Sequence, residues 1–287
     1  MTSRNDTPTP TEPRLRVLQL NVYGLADPWP QRREILRQGL RRMDADLVTL
    51  VETVVTDDVD QARDLLGPEY TIWHQRDRAA DGTGLTLASR LPMSEVRELD
   101  LVSIGRPARF PVAAMIAEVT ASEPIGTVLF VGYTPAWQRD YEYEREVQAL
   151  TTARELEKLA ARGDRHVVVA GDFNGSPESA SVRFWTGMQS LDQTSVMYRD
   201  AWTAVHGTAD GHTFDPRNEL VRTGDTPLEL GRRLDYVMVR AADRDPTLRV
   251  LSCAVVFDEP VRGIWASDHF GVLAELAPHP DRDGTLL

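Results

Sequence analysis

The chain has 287 residues, 41% hydrophobic and 26% charged, which is enough apolar material for a buried core and excludes a disordered chain. Its net charge of −12 disfavours non-specific attraction to polyanions, although a local basic groove remains compatible with it. The lone cysteine, Cys253, excludes an intrachain disulfide and fits a reducing, cytoplasmic compartment, and no apolar run is long enough to insert into a bilayer.

Residues 1–13 are polar and proline-rich without an apolar stretch, which predicts a disordered tail and not a signal peptide. Leu15–Gly24 alternates and opens into a loop at Asn21, the pattern of a strand. Pro30–Ala45 spaces Ile35, Leu36, Leu40 and Met43 as a helix does, with arginines on the opposite face. Asp46–Thr53 is a second strand that ends at Glu52, and a short helix follows until Gly67-Pro68 stops it. "YTIWHQ", "GLTLASR", "AAMIAEVT" and "TVLFVGYT" read as successive strands. The helix from Tyr141 carries Val147, Leu150, Leu156 and Leu159 and ends at Gly163. The strand at His166–Ala170 turns at Gly171, "SASVRFWTGM" is helical, and 189–231 is irregular. "RLDYVMVR", "CAVVFDEP" and "HFGVLAELA" are late strands. Nearly all basic residues are arginine, with Lys158 the single lysine, a compositional bias more than a phosphate-binding signal.

No repeat and no Gly- or Ser-rich linker divides the core, so one domain is expected over 14–278, with a short tail at 279–287. Strands come in runs with helices between only some of them. The expected architecture is therefore an α/β sandwich of four layers: two mixed sheets face to face, with helices on both outer sides.

Strand ends carry the chemistry. "HVVVAGDFNGSPES" stops a buried strand and presents Asp172 and Asn174, two residues apart and so on one side of an extended chain. Asn21, Glu52, Tyr133, Asp235 and the pair Asp268-His269 end other apolar strands in the same way. Each alone is an ordinary turn or capping residue. Gathered together, such carboxylates and amides repel or stay unsatisfied unless a cation or a reaction requires them.

In that order, and across nearly the whole chain, "LNVYG", "VET", "GDFN", "RLDY" and "SDH" resemble the endonuclease/exonuclease/phosphatase superfamily, whose members include DNase I, AP endonucleases of the exonuclease III type, neutral sphingomyelinases and inositol polyphosphate phosphatases. The resemblance implies a DNase I-like fold and hydrolysis of phosphoesters with Mg²⁺, or Mn²⁺ in its place. It implies Glu52 as direct metal ligand, with Asn21 and Asp268 holding the ion directly or through water. It further implies that Asp172 and Asn174 align and activate the attacking water and that Asp235 orients His269, whose imidazolium contacts the phosphate, with either Asp172 or His269 as the formal base. Asn218, after "HTFDPR", is implied as a phosphate or sugar contact.

The chain departs from the family at Val131–Gln138, "VGYTPAWQ". Many members carry Asn-Thr-His-Leu there, and the histidine is absent. AP endonucleases carry Tyr-x-Pro-Asn. Tyr133 and Pro135 match, but Ala136 replaces the asparagine, which weakens that assignment. Tyr133 either touches phosphate through its hydroxyl or sits in the core. His74 and His212 read as satisfied histidines, and Trp137 and Trp265 as packing residues. Nothing in the sequence aims Arg106, Arg109 or Arg139 at the site.

The reading that results is a monomeric phosphoesterase acting on a phosphorylated small molecule or nucleotide. One alternative is a nuclease on DNA or RNA. Another is a repurposed member that binds its metal or ligand without hydrolysis.

Overall fold

The computed structural model describes residues 13–102, 105–106, 112–163, 165–241 and 245–279. The tails expected at 1–13 and 279–287 lie outside them except for Pro13 and His279, and so does Arg109. The elements run β1 (Leu15–Asn21), α1 (Trp29–Met43), β2 (Leu47–Val54), α2 (Gln61–Leu66), β3 (Thr71–His74), β4 (Thr83–Ser89), β5 (Arg97–Asp100), β6 (Ala113–Thr120) and β7 (Thr127–Thr134). They continue with α3 (Glu142–Ala160), β8 (His166–Asp172), α4 (Ala180–Trp185), β9 (Tyr198–Asp200), α5 (Ala201–His206), α6 (Glu219–Thr223), β10 (Asp235–Arg240), β11 (Leu248–Val256) and β12 (Gly271–Pro278). The sequence pattern misses β5 and β9, which are too short to show an alternation. It also leaves α5 and α6 inside a region read as irregular.

Two six-stranded sheets result, ordered β11-β12-β1-β2-β4-β3 and β5-β6-β7-β8-β10-β9. Each has one parallel pair at its centre, β1 with β2 and β7 with β8, and antiparallel pairs on either side. A parallel pair needs a crossover, and α1 and α3 supply them. The inner faces meet through residues two apart on each strand: Leu15 and Val17, Leu85 and Leu87, Phe130, Val168 and Ala170, Val237 and Val239, Val272 and Ala274. The outer faces bury Leu18, Leu20, Val48 and Leu50 with Leu36, Leu40 and Leu65 of α1 and α2, and Val167 and Val169 with Ala149, Ala153 and Leu156 of α3. The expected four-layer sandwich is what the chain forms.

Two local expectations are corrected. Gly171 is not the turn after the fifth apolar residue. It lies inside β8, where a Cβ would stand 1.8 Å from the backbone oxygen of Tyr133, so glycine is needed for the close approach of β7. Arg32 does not face solvent with the other arginines of α1 but is fully buried. Gly171→Ala is expected to destabilise the protein by about 3 kcal/mol or more, because backbone and not a yielding side chain must move. Urea unfolding checks this, and an unchanged midpoint would contradict the close approach.

Candidate active site

The inward-facing positions of the sandwich stay apolar along the strands and turn polar at one end. Residues 15 and 17 of β1 lead to Gln19 and Asn21. Residues 168 and 170 of β8 lead to Asp172, and residues 239 and 237 of β10 lead back to Asp235. Asp172 and Asp235 are direct partners in the β8–β10 register. Gln19 Nε2 donates across to Asp235 Oδ1 at 3.1 Å, and Asn21 Nδ2 donates to Asp172 Oδ2 at 3.2 Å, so the two sheets are tied by polar bonds where the apolar core gives out.

Glu52 reaches the same place by an irregularity. Between Leu50 and Thr53 the β2–β4 register gains one residue on β2, and Glu52 adopts φ +60°. A regular strand with Val51 facing the inner core would turn Glu52 outward. The bulge and the left-handed conformation, a strain of about 1–3 kcal/mol, bring its carboxylate to the cleft, where Oε1 accepts from Asn21 Nδ2 at 3.0 Å.

Asp268 and His269 arrive on the loop before β12. Ser267 Oγ donates to the Asn21 carbonyl at 2.7 Å, Asn218 Nδ2 donates to the Ser267 carbonyl at 2.8 Å, and Arg32 Nε donates to the Ala266 carbonyl at 3.0 Å. Arg32 also donates to the carbonyls of Val22, Tyr23 and Ala26, so one buried guanidinium fastens the loops after β1 and before β12. His269 Nδ1 lies 2.9 Å from Asp235 Oδ2, its Nε2 lies 3.8 Å from Asp172 Oδ2, and its ring packs on Phe214 at 4.8 Å. Burial alone would lower the imidazole pKa. Asp235, then Asp172, outweigh it and hold the value well above 6.5, which favours the protonated ring.

The carboxylates respond in the opposite sense. Burial, then the neighbouring Asp268 charge, pushes Glu52 up to about 7. Burial and Asp235 push Asp172 up to about 6, and burial raises Asp268. Three carboxylates that resist ionisation together form a donor set that a divalent cation would satisfy. Glu52, Asp172 and Asp268 line one cleft of about 270 Å³ with Asn174, His269, Tyr23, Trp137, Arg139 and Arg232. A tighter trio is also present: ligand atoms of Asp172, Asp235 and His269 lie within 4.8 Å of one another. The imidazole of that trio already holds Asp235 through Nδ1, and a hard cation prefers oxygen donors, so the oxygen-only side at Glu52 and Asp268 fits one better.

A model of the Endonuclease/Exonuclease/phosphatase family matches residues 18–269. The chain belongs to this family. It is 26% identical over 281 residues to human sphingomyelin phosphodiesterase 2, covering 92% of this chain and 64% of that protein. It is also 26% identical to the inositol phosphosphingolipids phospholipase C of Schizosaccharomyces pombe, covering 91% of this chain and 68% of that one. The chain thus spans about two thirds of the length of these relatives. Among solved structures, Danio rerio TDP2 complexed with a single-strand DNA product shares the fold. It has a TM-score of 0.71 and 20% identity, covering 92% of this chain and 98% of that one.

Of the residues expected from family motifs, Glu52, Asp172, Asn174, Asp268 and His269 line the cleft, and Asp235 stands directly behind His269. Asn174 is left-handed (φ +52°). It donates its backbone N–H to Asp172 Oδ1 and its side-chain N–H to the Pro135 carbonyl, so the pair shares a side through a turn and not through extended chain. Asn21 is 1% exposed, accepts from the Tyr23 N–H and donates to Glu52 and Asp172, so it holds two of the carboxylates that face the cleft. Two expectations are corrected, those for Tyr133 and Asn218. Tyr133 points away from the cleft, edge-on to Phe173 and Trp185 in the layer under α3, because the inward position at the end of β7 belongs to Thr134. Asn218 is fully buried, where it caps α6 and clamps the Asp268 loop, out of reach of substrate.

His74 and His212 are satisfied by Thr86 with Asp60 and by Asp215, and Trp265 packs on Phe270. Arg106 is engaged by Glu144 and Asp140. Arg139 and Trp137, by contrast, line the cleft, and Trp137 is 52% exposed. Arg32 was visible in principle, since it stands four and eight residues before Leu36 and Leu40 on the buried stripe.

Glu52 yields a pH test. A folded-state pKa raised from 4.5 to about 7 stabilises the metal-free protein below pH 4.5, and that contribution is lost as pH rises through 7. Relative to Glu52→Gln, the metal-free protein should therefore lose about 1–3 kcal/mol across that window, and excess divalent cation should restore it. Thermal melts of both proteins across pH check this, and parallel curves would contradict it. Asn218→Ala should cost about 1–2 kcal/mol through the lost cap and weaken divalent-cation affinity through the loosened Asp268 loop, measured by calorimetry.

Proposed function

We propose that the protein is a Mg²⁺-dependent phosphodiesterase acting on a small diester with an apolar portion, of the phospholipid headgroup type. The observation that carries this reading is the make-up of the cleft at Glu52 and Asp172. It sets carboxylates and an imidazole against a wall that includes Trp137, Phe214, Leu220, Val221 and Leu234. Both curated relatives described above are named for phosphosphingolipid hydrolysis, which supports the substrate class.

Glu52 and Asp268 would hold the ion, and hard oxygen donors favour Mg²⁺. Bound there, it would neutralise charge on the phosphate and the leaving oxygen. Asp172, raised to about 6, is mostly ionised at neutral pH yet a stronger base than an ordinary aspartate, and Asn174 fixes its orientation. It accepts the proton of the attacking water as the new P–O bond forms and the P–O bond to the leaving alkoxide breaks, the alkoxide taking a proton from solvent. We assign His269 a different role, because the neighbouring Asp235 and Asp172 carboxylates raise its pKa and favour the imidazolium. Its Nε2–H faces Asp172 and donates to a phosphoryl oxygen whose charge grows in the transition state.

A nuclease reading draws on the TDP2 fold likeness. It is weakened because, among the described residues, the two arginines lining the cleft, Arg139 and Arg232, both bind Glu229 Oε2, at 2.7 Å each, in a chain of net charge −12.

Turnover of a soluble chromogenic phosphodiester, its monoester, choline phospholipid in detergent and single-stranded DNA, with and without Mg²⁺, tests the reading. The diester and the phospholipid should be hydrolysed, and chelation should stop both. DNA cleaved faster than either would overturn the reading. His269→Ala should slow diester turnover about 10²–10⁴-fold while leaving cation binding in place. Asp235→Asn should lower the imidazole pKa and move the alkaline limb of the pH profile toward acid.

A further inference from the structure

The segment from Gly224 to Arg232 forms part of the cleft wall, with Gly224, Asp225, Thr226 and Arg232 all lining it. At its middle, polarity is inverted. Glu229 points inward with a side chain only 3% exposed, while Leu228 and Leu230 on either side are each 89% exposed. Leucine is normally buried and glutamate normally solvated, so this arrangement places the apolar residues where water costs most.

The presentation is built. Glu229 Oε2 accepts from Arg139 at 2.7 Å and from Arg232 Nε and Nη2 at 3.0 and 2.7 Å, and Glu229 Oε1 accepts from the Leu230 N–H. The Glu229 N–H closes a turn onto the Thr226 carbonyl. Gly231, at φ +93°, follows with no room for a side chain, since a Cβ would stand 2.5 Å from His212 Nδ1. The two leucines are therefore held outward beside an ion-paired clamp whose Arg139 and Arg232 line the cleft, and Trp137, two residues from Arg139 and also lining it, is a third exposed apolar group.

We propose that Leu228 and Leu230 dock the protein onto a zwitterionic lipid surface. A protein partner seated on this lip would obstruct entry to the cleft, whereas a lipid surface brings the substrate to it. A net charge of −12 opposes anionic surfaces and leaves neutral, choline-headed ones. The inference rests on the phosphodiesterase reading for its purpose, but its test does not depend on turnover.

The test is co-sedimentation of the full chain with phosphatidylcholine vesicles, comparing wild type with Leu228→Ser/Leu230→Ser. Both leucines are exposed, so the variant should fold, which circular dichroism verifies. The expected result is vesicle affinity reduced about tenfold or more in the variant. Hydrolysis of the soluble chromogenic diester should stay unchanged. Doping the vesicles with phosphatidylserine should weaken wild-type binding. Equal sedimentation of both proteins, no wild-type binding, or stronger binding to anionic vesicles would overturn the proposal. So would a dimer in analytical ultracentrifugation that the variant abolishes, which would make a second copy the occupant. Vesicle binding without diester hydrolysis would leave the docking surface standing and count against the catalytic reading instead.

Discussion

Like-charged carboxylates at one end of the sandwich are the constraint around which this molecule is arranged. Glu52, Asp172, Asp235 and Asp268 approach one imidazole from both sheets, and burial raises the pKa of Glu52, Asp172 and Asp268. Such a cluster opposes folding unless its charge is shared out. Within the protein, His269 shares it between Asp235 and Asp172, and the Asn21 amide bridges Asp172 and Glu52. The remaining negative charge faces the cleft, where a cation and a phosphate would meet it.

The fold makes that cluster affordable by fixing everything behind it. Polar bonds across the sheet gap begin where apolar side chains end, so the site is an extension of the core's own alternation and not a loop resting on it. Arg32 and Asn218 hold the loop bearing Asp268 and His269 from two directions through its backbone carbonyls. This rigidity is what electrostatic catalysis needs, since dipoles and charges held in place need not reorganise during reaction.

Much of this was legible in the sequence, for a physical reason. Asn21, Asp172 and Asp235 end apolar strands in phase with the inner face, so their convergence follows from period-two alternation once two packed sheets are assumed. Glu52 also ends a strand, but its direction depends on a bulge that no propensity marks. Tyr133 and Thr134 are adjacent, and only knowledge of which face of β7 is inner decides between them. Asn218 resembles a substrate contact in its motif yet works from behind, a difference of placement that residue type does not encode. The Arg139–Glu229–Arg232 clamp joins residues some ninety positions apart through side chains alone, and it left no periodic trace.

We propose a division of labour in which the cation is held on the Glu52–Asp268 side and His269 stays bound to Asp235. Anomalous diffraction from crystals soaked in Mn²⁺ tests it directly. The account predicts an anomalous peak coordinated by Glu52, with the His269 Nδ1–Asp235 bond intact. A peak centred among Asp172, Asp235 and His269, with an imidazole nitrogen as ligand, would contradict it.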